Sequence, residues 1–162
     1  MDSRLTPYSG RVAHVSLSGQ VDAPLTEGLQ AQVTVSLANL CDAPGGSRQR
    51  QLLLGESVTV IDRDKGHVFV MSAKDGYCGW MDEDDLGQGP APTHWVAALG
   101  THLYTEPQVQ APEKDALSLG SRLAVTIDID QALDALTLPP AVLLTLVENA
   151  VQHGVEPRVA GG

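Results

Sequence analysis

Through its first 120 residues the chain is cut into short segments by recurring Gly and Pro, with apolar residues alternating between the cuts. An amphipathic helix needs ten or more uninterrupted residues at a 3.6-residue period, whereas strands need only four to eight at period two. This punctuation predicts a mainly β fold of the small-barrel or sandwich kind. Gln32-Val33-Thr34-Val35-Ser36-Leu37 alternates, which places Val33, Val35 and Leu37 on one face. Ser57-Val58-Thr59-Val60-Ile61-Asp62 gives a second strand and His67-Val68-Phe69-Val70-Met71 a third. Asp75-Gly76 then reads as a hairpin turn, because such turns need positive φ at their centre. The following Tyr77-Cys78-Gly79-Trp80 is expected to set its aromatics on one face, with Gly79 allowing a bulge or a close backbone approach.

Leu86 to Thr93 has the composition of a linker. A smaller β pattern follows in Thr93–Ala98 and Thr101–Tyr104, and Arg122–Asp130 reads as one more strand. Pro139-Pro140 then opens a helix, where proline is tolerated because first-turn N–H groups have no intrahelical acceptor. Val142, Leu143, Leu146, Val147, Ala150 and Val151 form its apolar stripe, and Gly154 caps it. The expected organisation is an N-terminal strand-bearing segment over 1–29 and a small β barrel over 30–88. A second, incomplete β module follows over 92–128, then a helical fragment over 129–162.

Composition limits the core and the partners. Aromatic residues make up 4% of a chain that is 43% hydrophobic, so the core must be built mainly from Leu, Val and Ala. The formal charge of −10 disfavours nucleic acid and anionic membranes, which need a basic surface, and permits a basic protein partner. The N-terminus carries no apolar signal segment, and no run approaches the roughly 18 apolar residues of a membrane span. Cys41 and Cys78 form no CxxC and are expected to be free, partly buried thiols in a reducing compartment. These features lead us to expect a cytoplasmic protein.

Several blocks carry a resemblance. Arg4-Leu5-Thr6-Pro7 precedes Gly10-Arg11-Val12-Ala13-His14-Val15-Ser16-Leu17, and Ala43-Pro44-Gly45-Gly46 leads into Gln51-Leu52-Leu53-Leu54-Gly55-Glu56. Asp75-Gly76-Tyr77, Gly79-Trp80, Thr93-His94-Trp95-Val96 and Thr101-His102-Leu103-Tyr104 complete the series. In this order they resemble the N-terminal region of NlpC-type cysteine endopeptidases, which cut peptidoglycan stem peptides. The resemblance implies two SH3-like barrels that flank a catalytic domain and help shape its cleft. It departs at Gly66-His67, where the family tends to carry Gly-Trp. The Asp-Cys-Ser/Ala-Gly nucleophile motif is also absent. A cysteine nucleophile needs an activating His, usually at a helix N-terminus, and Cys78 on a β hairpin lacks that setting.

Ile127-Asp128-Ile129-Asp130, Leu138-Pro139-Pro140 and Leu146-Val147-Glu148-Asn149-Ala150-Val151-Gln152-His153-Gly154 resemble the start of a sensor histidine kinase ATPase domain of the GHKL superfamily. That resemblance implies Asn149 as a Mg²⁺ ligand beside Glu148 and His153. The adenine-binding Asp motif, the Gly-rich lid and the phosphoacceptor His are missing, so the plainer reading is an amphipathic helix that serves the fold. The two resemblances meet around Leu119–Val125, and the chain reads as a mosaic.

The expected function is non-catalytic: SH3-like modules recognising a peptide, by resemblance a murein-derived one, or a protein partner. Its candidate ligand-binding residues are Asp75, Tyr77, Trp80 and Trp95. One alternative is a small acidic, antitoxin-like inhibitor of a basic toxin or nuclease, docking through Asp82, Glu83, Asp84 and Asp85. Another is residual Mg²⁺-ATP binding at Asn149 and His153. The acidic run lacks the spacing and the turn Gly of a Ca²⁺ loop and reads as a solvated loop. His14, His67, His94 and His102 have no metal-ligand spacing. No catalytic residue, resident cofactor or metal is expected.

Overall fold

A seven-stranded antiparallel sheet, curled on itself, occupies the middle of the chain in the computed structural model, which describes residues 2–106, 108 and 110–126. Ahead of it lie β1 (Ala13–His14) and β2 (Leu25–Thr26), a short parallel pair. The sheet itself comprises β3 (Leu29–Val33), β4 (Leu37–Cys41), β5 (Arg48–Leu53), β6 (Ser57–Asp64), β7 (His67–Ser72), β8 (Cys78–Asp82) and β9 (Leu86–Gly87). Its strand order is β5-β4-β8-β7-β6-β3-β9, and β3 binds both β6 and β9. The fold is mainly β. After the sheet come β10 (His94–Trp95), β11 (Gly100–Tyr104), β12 (Glu113–Ser118) and β13 (Arg122–Leu123). β11 and β12 form one hairpin, and β10 pairs with β13.

Successive side chains point to opposite faces of the sheet, and because both faces are covered the central strands are buried almost continuously and feed two clusters. Inside the curl, Val33, Leu40, Leu52, Val58, Val60, Val68, Val70 and Met81 pack together with Ala38. This cluster is aliphatic apart from Tyr77, which is partly buried against it. Outside it, Ile61, Phe69, Cys78 and Trp80 form a second cluster, against which Val12 of the N-terminal segment and Met71 pack. A register shift between Val60 and Asp62 places Asp62, rather than Ile61, opposite Phe69. Ile61 is the extra residue of that bulge, and it packs in the outer cluster.

The N-terminal segment contains more than strands. Ser3–Leu5 and Val15–Leu17 are single 3₁₀ turns, capped by the Asp2 and His14 side chains. The segment is tied to β6 by Asp62, whose carboxylate accepts from Ser9 Oγ at 2.7 Å and from Arg11 at two points, each 3.1 Å. Arg11 also donates to the Arg63 carbonyl at 2.8 Å.

Burial pushes the Asp62 carboxyl up, but the Ser9 hydroxyl and the Arg11 guanidinium outweigh it and hold the group below its ordinary value. A depressed carboxylate contributes stability that is complete above its unfolded pKa and is lost as pH falls through the lower folded value. Acidification below about pH 4 is therefore expected to strip hydrogen-exchange protection from the amides of residues 9–13 before the central sheet loses it. Asp62→Asn should cost about 1–2 kcal/mol in urea unfolding, a figure discounted because Arg11 is half exposed. Equal loss of protection in both regions at acid pH would count against this tether.

Four expectations need correction. The alternating run Gln32–Leu37 is not one strand: it breaks at Thr34–Ser36, so that Val33 is 1% exposed while Leu37 is 48% exposed. At the break the chain changes partners, with Thr34 N–H donating to the Asp85 carbonyl at 2.9 Å. Leu86 and Gly87, read as linker, are a strand held to Val33 and Gln32. Thr93–Ala98 is strand only at His94–Trp95. Of the strand read over Arg122–Asp130, Arg122–Leu123 is strand and Ala124–Thr126 is not, while 127–130 lies outside the described residues. The helix expected over 139–153, with Asn149 and His153, also lies outside them.

Candidate functional site

The loop joining β7 to β8 runs through Ala73–Tyr77. It is longer than the two-residue turn implied by Asp75-Gly76, and it closes with Ser72 N–H donating to the Tyr77 carbonyl at 2.9 Å. Gly76 takes the positive φ within it. The Asp75 carboxylate is ion-paired with Arg50 of β5 and accepts from the Tyr77 N–H at 3.3 Å. Burial pushes the Asp75 carboxyl up, and Arg50 with the Tyr77 amide more than reverses that, leaving it below its usual range. Arg50 also lies over the Tyr77 ring, 5.2 Å from its centroid, a cation–π contact. Asp75, Tyr77 and Arg50 thus form one unit. The sequence reading missed Arg50, since only the pairing of distant strands brings it there.

Tyr77 and Trp80 do not share a face. They are three residues apart, and at period two that separation sends them to opposite sides. Tyr77 packs on the inner cluster and Trp80 on the outer one. Trp80 is only 7% exposed and meets Phe69 edge-on, with centroids 5.5 Å apart and planes at 60°. Gly79 provides the close approach expected of it: a Cβ there would lie 2.7 Å from Leu40 Cγ and 2.9 Å from the Cys41 carbonyl oxygen. Trp95, 75% exposed, stands apart in a shallow cavity of about 300 Å³ with Pro92, Thr93, His94 and Arg122.

A concavity of about 470 Å³ lies between the N-terminal segment and the outer face of the sheet. Ser3, Arg4, Tyr8 and Ser9 form one wall, and Cys41, Asp42 and Gln49 face them. Phe69, Cys78 and Trp80 supply its apolar side. The Arg4 guanidinium, bound to both oxygens of Asp2, is held above its ordinary value by Asp2 first and then by the Tyr77 phenol. Apolar surface with a few converging polar groups is the usual make-up of a small-ligand or peptide site. Burial pushes the Cys78 thiol up to about 11, and the thiol donates to the Gly76 carbonyl at 3.3 Å.

The acidic run is not a free solvated loop. Glu83–Asp85 is a 3₁₀ turn capped by Asp82, which accepts from Asp84 N–H at 3.1 Å. Glu83 is ion-paired with Arg63. The Asp85 carboxyl is raised, first by burial and then by Asp82 and Asp84. Among the described residues no three His, Cys, Asp or Glu side chains converge on a metal position, and no helix is long and apolar enough to cross a membrane.

Comparison with known proteins agrees with this geometry in its central part. Residues 40–86 match the family model of the bacterial dipeptidyl-peptidase SH3 domain, a span inside the seven-stranded sheet. Among solved structures, an NlpC/P60 family protein from Bacillus cereus ATCC 10987 superposes with a TM-score of 0.50 at 22% identity. That match covers 64% of this chain and 49% of the other, and it speaks to the fold alone. YwpD of Bacillus subtilis (strain 168) is 50% identical over 42 residues, which are 26% of this chain and 15% of YwpD. The chain therefore spans about half the length of the solved relative and a small part of YwpD. It carries an SH3-like module of the bacterial kind, a type of domain that binds proteins or peptides.

Proposed function

We propose that the chain is a non-catalytic binding module whose ligand is a short peptide derived from murein, seated between the N-terminal segment and β8. The observation that carries this reading is the cavity walled by Arg4, Tyr8, Asp42, Gln49 and Trp80. Its apolar side suits the methyl and methylene groups of a stem peptide, and its polar wall suits amides and carboxylates. A cysteine nucleophile must be ionised and activated, whereas the Cys78 thiol is buried and raised to about 11. That contrast supports binding without hydrolysis.

The test is an NMR titration of the full chain with murein stem peptides. Amide shifts are expected at residues 3–10, 41–42 and 78–80, and the peptide should be recovered intact. No shifts at millimolar peptide would overturn the assignment of ligand, and appearance of cleaved peptide would overturn the non-catalytic reading.

A further inference from the structure

The chain has two cysteines, distant in sequence, and the fold brings both to the same cavity. Cys41 of β4 lies directly opposite Trp80 of β8 in the ladder. Residues opposite each other share a face, and so does the residue two positions along. Cys78 is therefore on the same face as Cys41. Gly79 corroborates this, because its missing side chain would point at Leu40, toward the inner cluster. Cys41 is half-buried and Cys78 buried, and both are free thiols.

Spacing decides what such a pair can hold. Diagonal neighbours on paired strands stand ~7–8 Å apart, with their Cβ atoms somewhat closer. A disulfide needs Cβ atoms about 3.8 Å apart, so this diagonal is too wide for one. Two metal–sulfur bonds of about 2.3 Å placed in line span ~4.6 Å between sulfurs, which bridges it. No third His, Cys, Asp or Glu among the described residues completes a closed tetrahedral set. Asp42 lines the cavity, but both its carboxylate oxygens already accept, one from the Ser47 N–H at 2.8 Å and the other from Gln49 Nε2 at 3.5 Å. Two sulfur donors without hard oxygen ligands select soft cations, Cu(I) foremost.

We propose that Cys41 and Cys78 form a two-coordinate thiolate site for a soft monovalent cation, with Cu(I) as the fitting ion. On binding, two S–H bonds break, Cys78 gives up its hydrogen bond to the Gly76 carbonyl, two Cu–S bonds form and two protons leave to solvent; copper stays Cu(I), and no electron is transferred. The complex carries one negative charge in a cavity that Arg4 also lines. This goes beyond the peptide reading and fails separately from it, because its readout is copper.

The experiment is anaerobic titration of the reduced full chain with Cu(I) held by a chromophoric competitor such as bicinchoninate. One Cu(I) per monomer should be withdrawn, and Cys41→Ser should weaken binding at least 100-fold. Cys41 belongs to neither core cluster, so that variant keeps the fold, which circular dichroism checks. Cys78→Ser should behave alike, and amides at 41 and 78 should shift in wild type on adding Cu(I). One Cu(I) per two chains with dimer formation, or undiminished affinity in folded Cys41→Ser, would overturn the proposal.

Discussion

Replacing Trp80 with Ala is expected to destabilise the protein by about 3–5 kcal/mol, the range for truncating a buried aromatic. The indole is 7% exposed, so nearly all its surface is removed from water on folding. It stacks edge-on with Phe69, which adds ~0.5–1.5 kcal/mol beyond area. It also belongs to the cluster on which Val12 packs, so the N-terminal segment loses its apolar footing together with the ring. A domain of this size has only about 5–15 kcal/mol in total, and the variant should unfold at far lower urea. Trp80→Phe, which keeps a ring beside Phe69, should recover a large part of the loss. Trp95→Ala should fall within ~0.5 kcal/mol, since the exposed indole has little packing to lose. If Trp80→Ala changed ligand affinity with an unaltered unfolding midpoint, Trp80 would be a ligand platform rather than a core residue.

The contrast between the two tryptophans marks how far the sequence could be read. Runs such as Ser57–Asp62 and His67–Met71 announce their strands because apolar and β-branched residues continue over five or six positions, as a strand buried on both faces requires. Hence β6 and β7 sit where the pattern puts them. At Thr34–Ser36 the same alternation continues while the backbone turns away, with no Gly or Pro to mark the break. The cause is long-range: Gly55 N–H donates to the Val33 carbonyl at 2.8 Å and Thr34 N–H to the Asp85 carbonyl at 2.9 Å. No local pattern encodes those partners. The candidate site behaves likewise. Asp75, Tyr77 and Trp80 are conspicuous as residues, but their roles depend on which face each occupies and on Arg50 arriving from β5. The cavity wall contributed by Arg4 and Tyr8 depends on Asp62 holding Arg11, a contact between residues some fifty positions apart. Aromatics flag a site in sequence, whereas the polar groups that shape it come from pairings visible only in three dimensions.

Gly55→Ala should cause the next largest loss, about 2–5 kcal/mol, from two independent costs. Gly55 has φ of +75°, in the left-handed region, where an L side chain costs roughly 1–2 kcal/mol. An added Cβ would also lie 2.3 Å from the Arg122 carbonyl oxygen and 2.8 Å from Arg122 Cβ. Overpacking of this kind adds ~1–3 kcal/mol. Gly55 itself cannot easily move, because the Glu56 carboxylate accepts from the Leu53 N–H at 3.0 Å and fixes the turn. Any relief must come from the other side, where Arg122 N–H donates to the Leu54 carbonyl at 2.7 Å. That bond joins β13 to the turn after β5, and next to it Val96 N–H donates to the Ser121 carbonyl at 2.8 Å. The alanine methyl is therefore expected to push residues 121–123 away before it disturbs the barrel. Hydrogen exchange should show the Arg122 and Val96 amides losing protection at least tenfold more than Val58 or Val70, which form the inner core. A variant with an unchanged urea midpoint and intact protection at Arg122 would show that this close approach is not what holds β13 to the sheet.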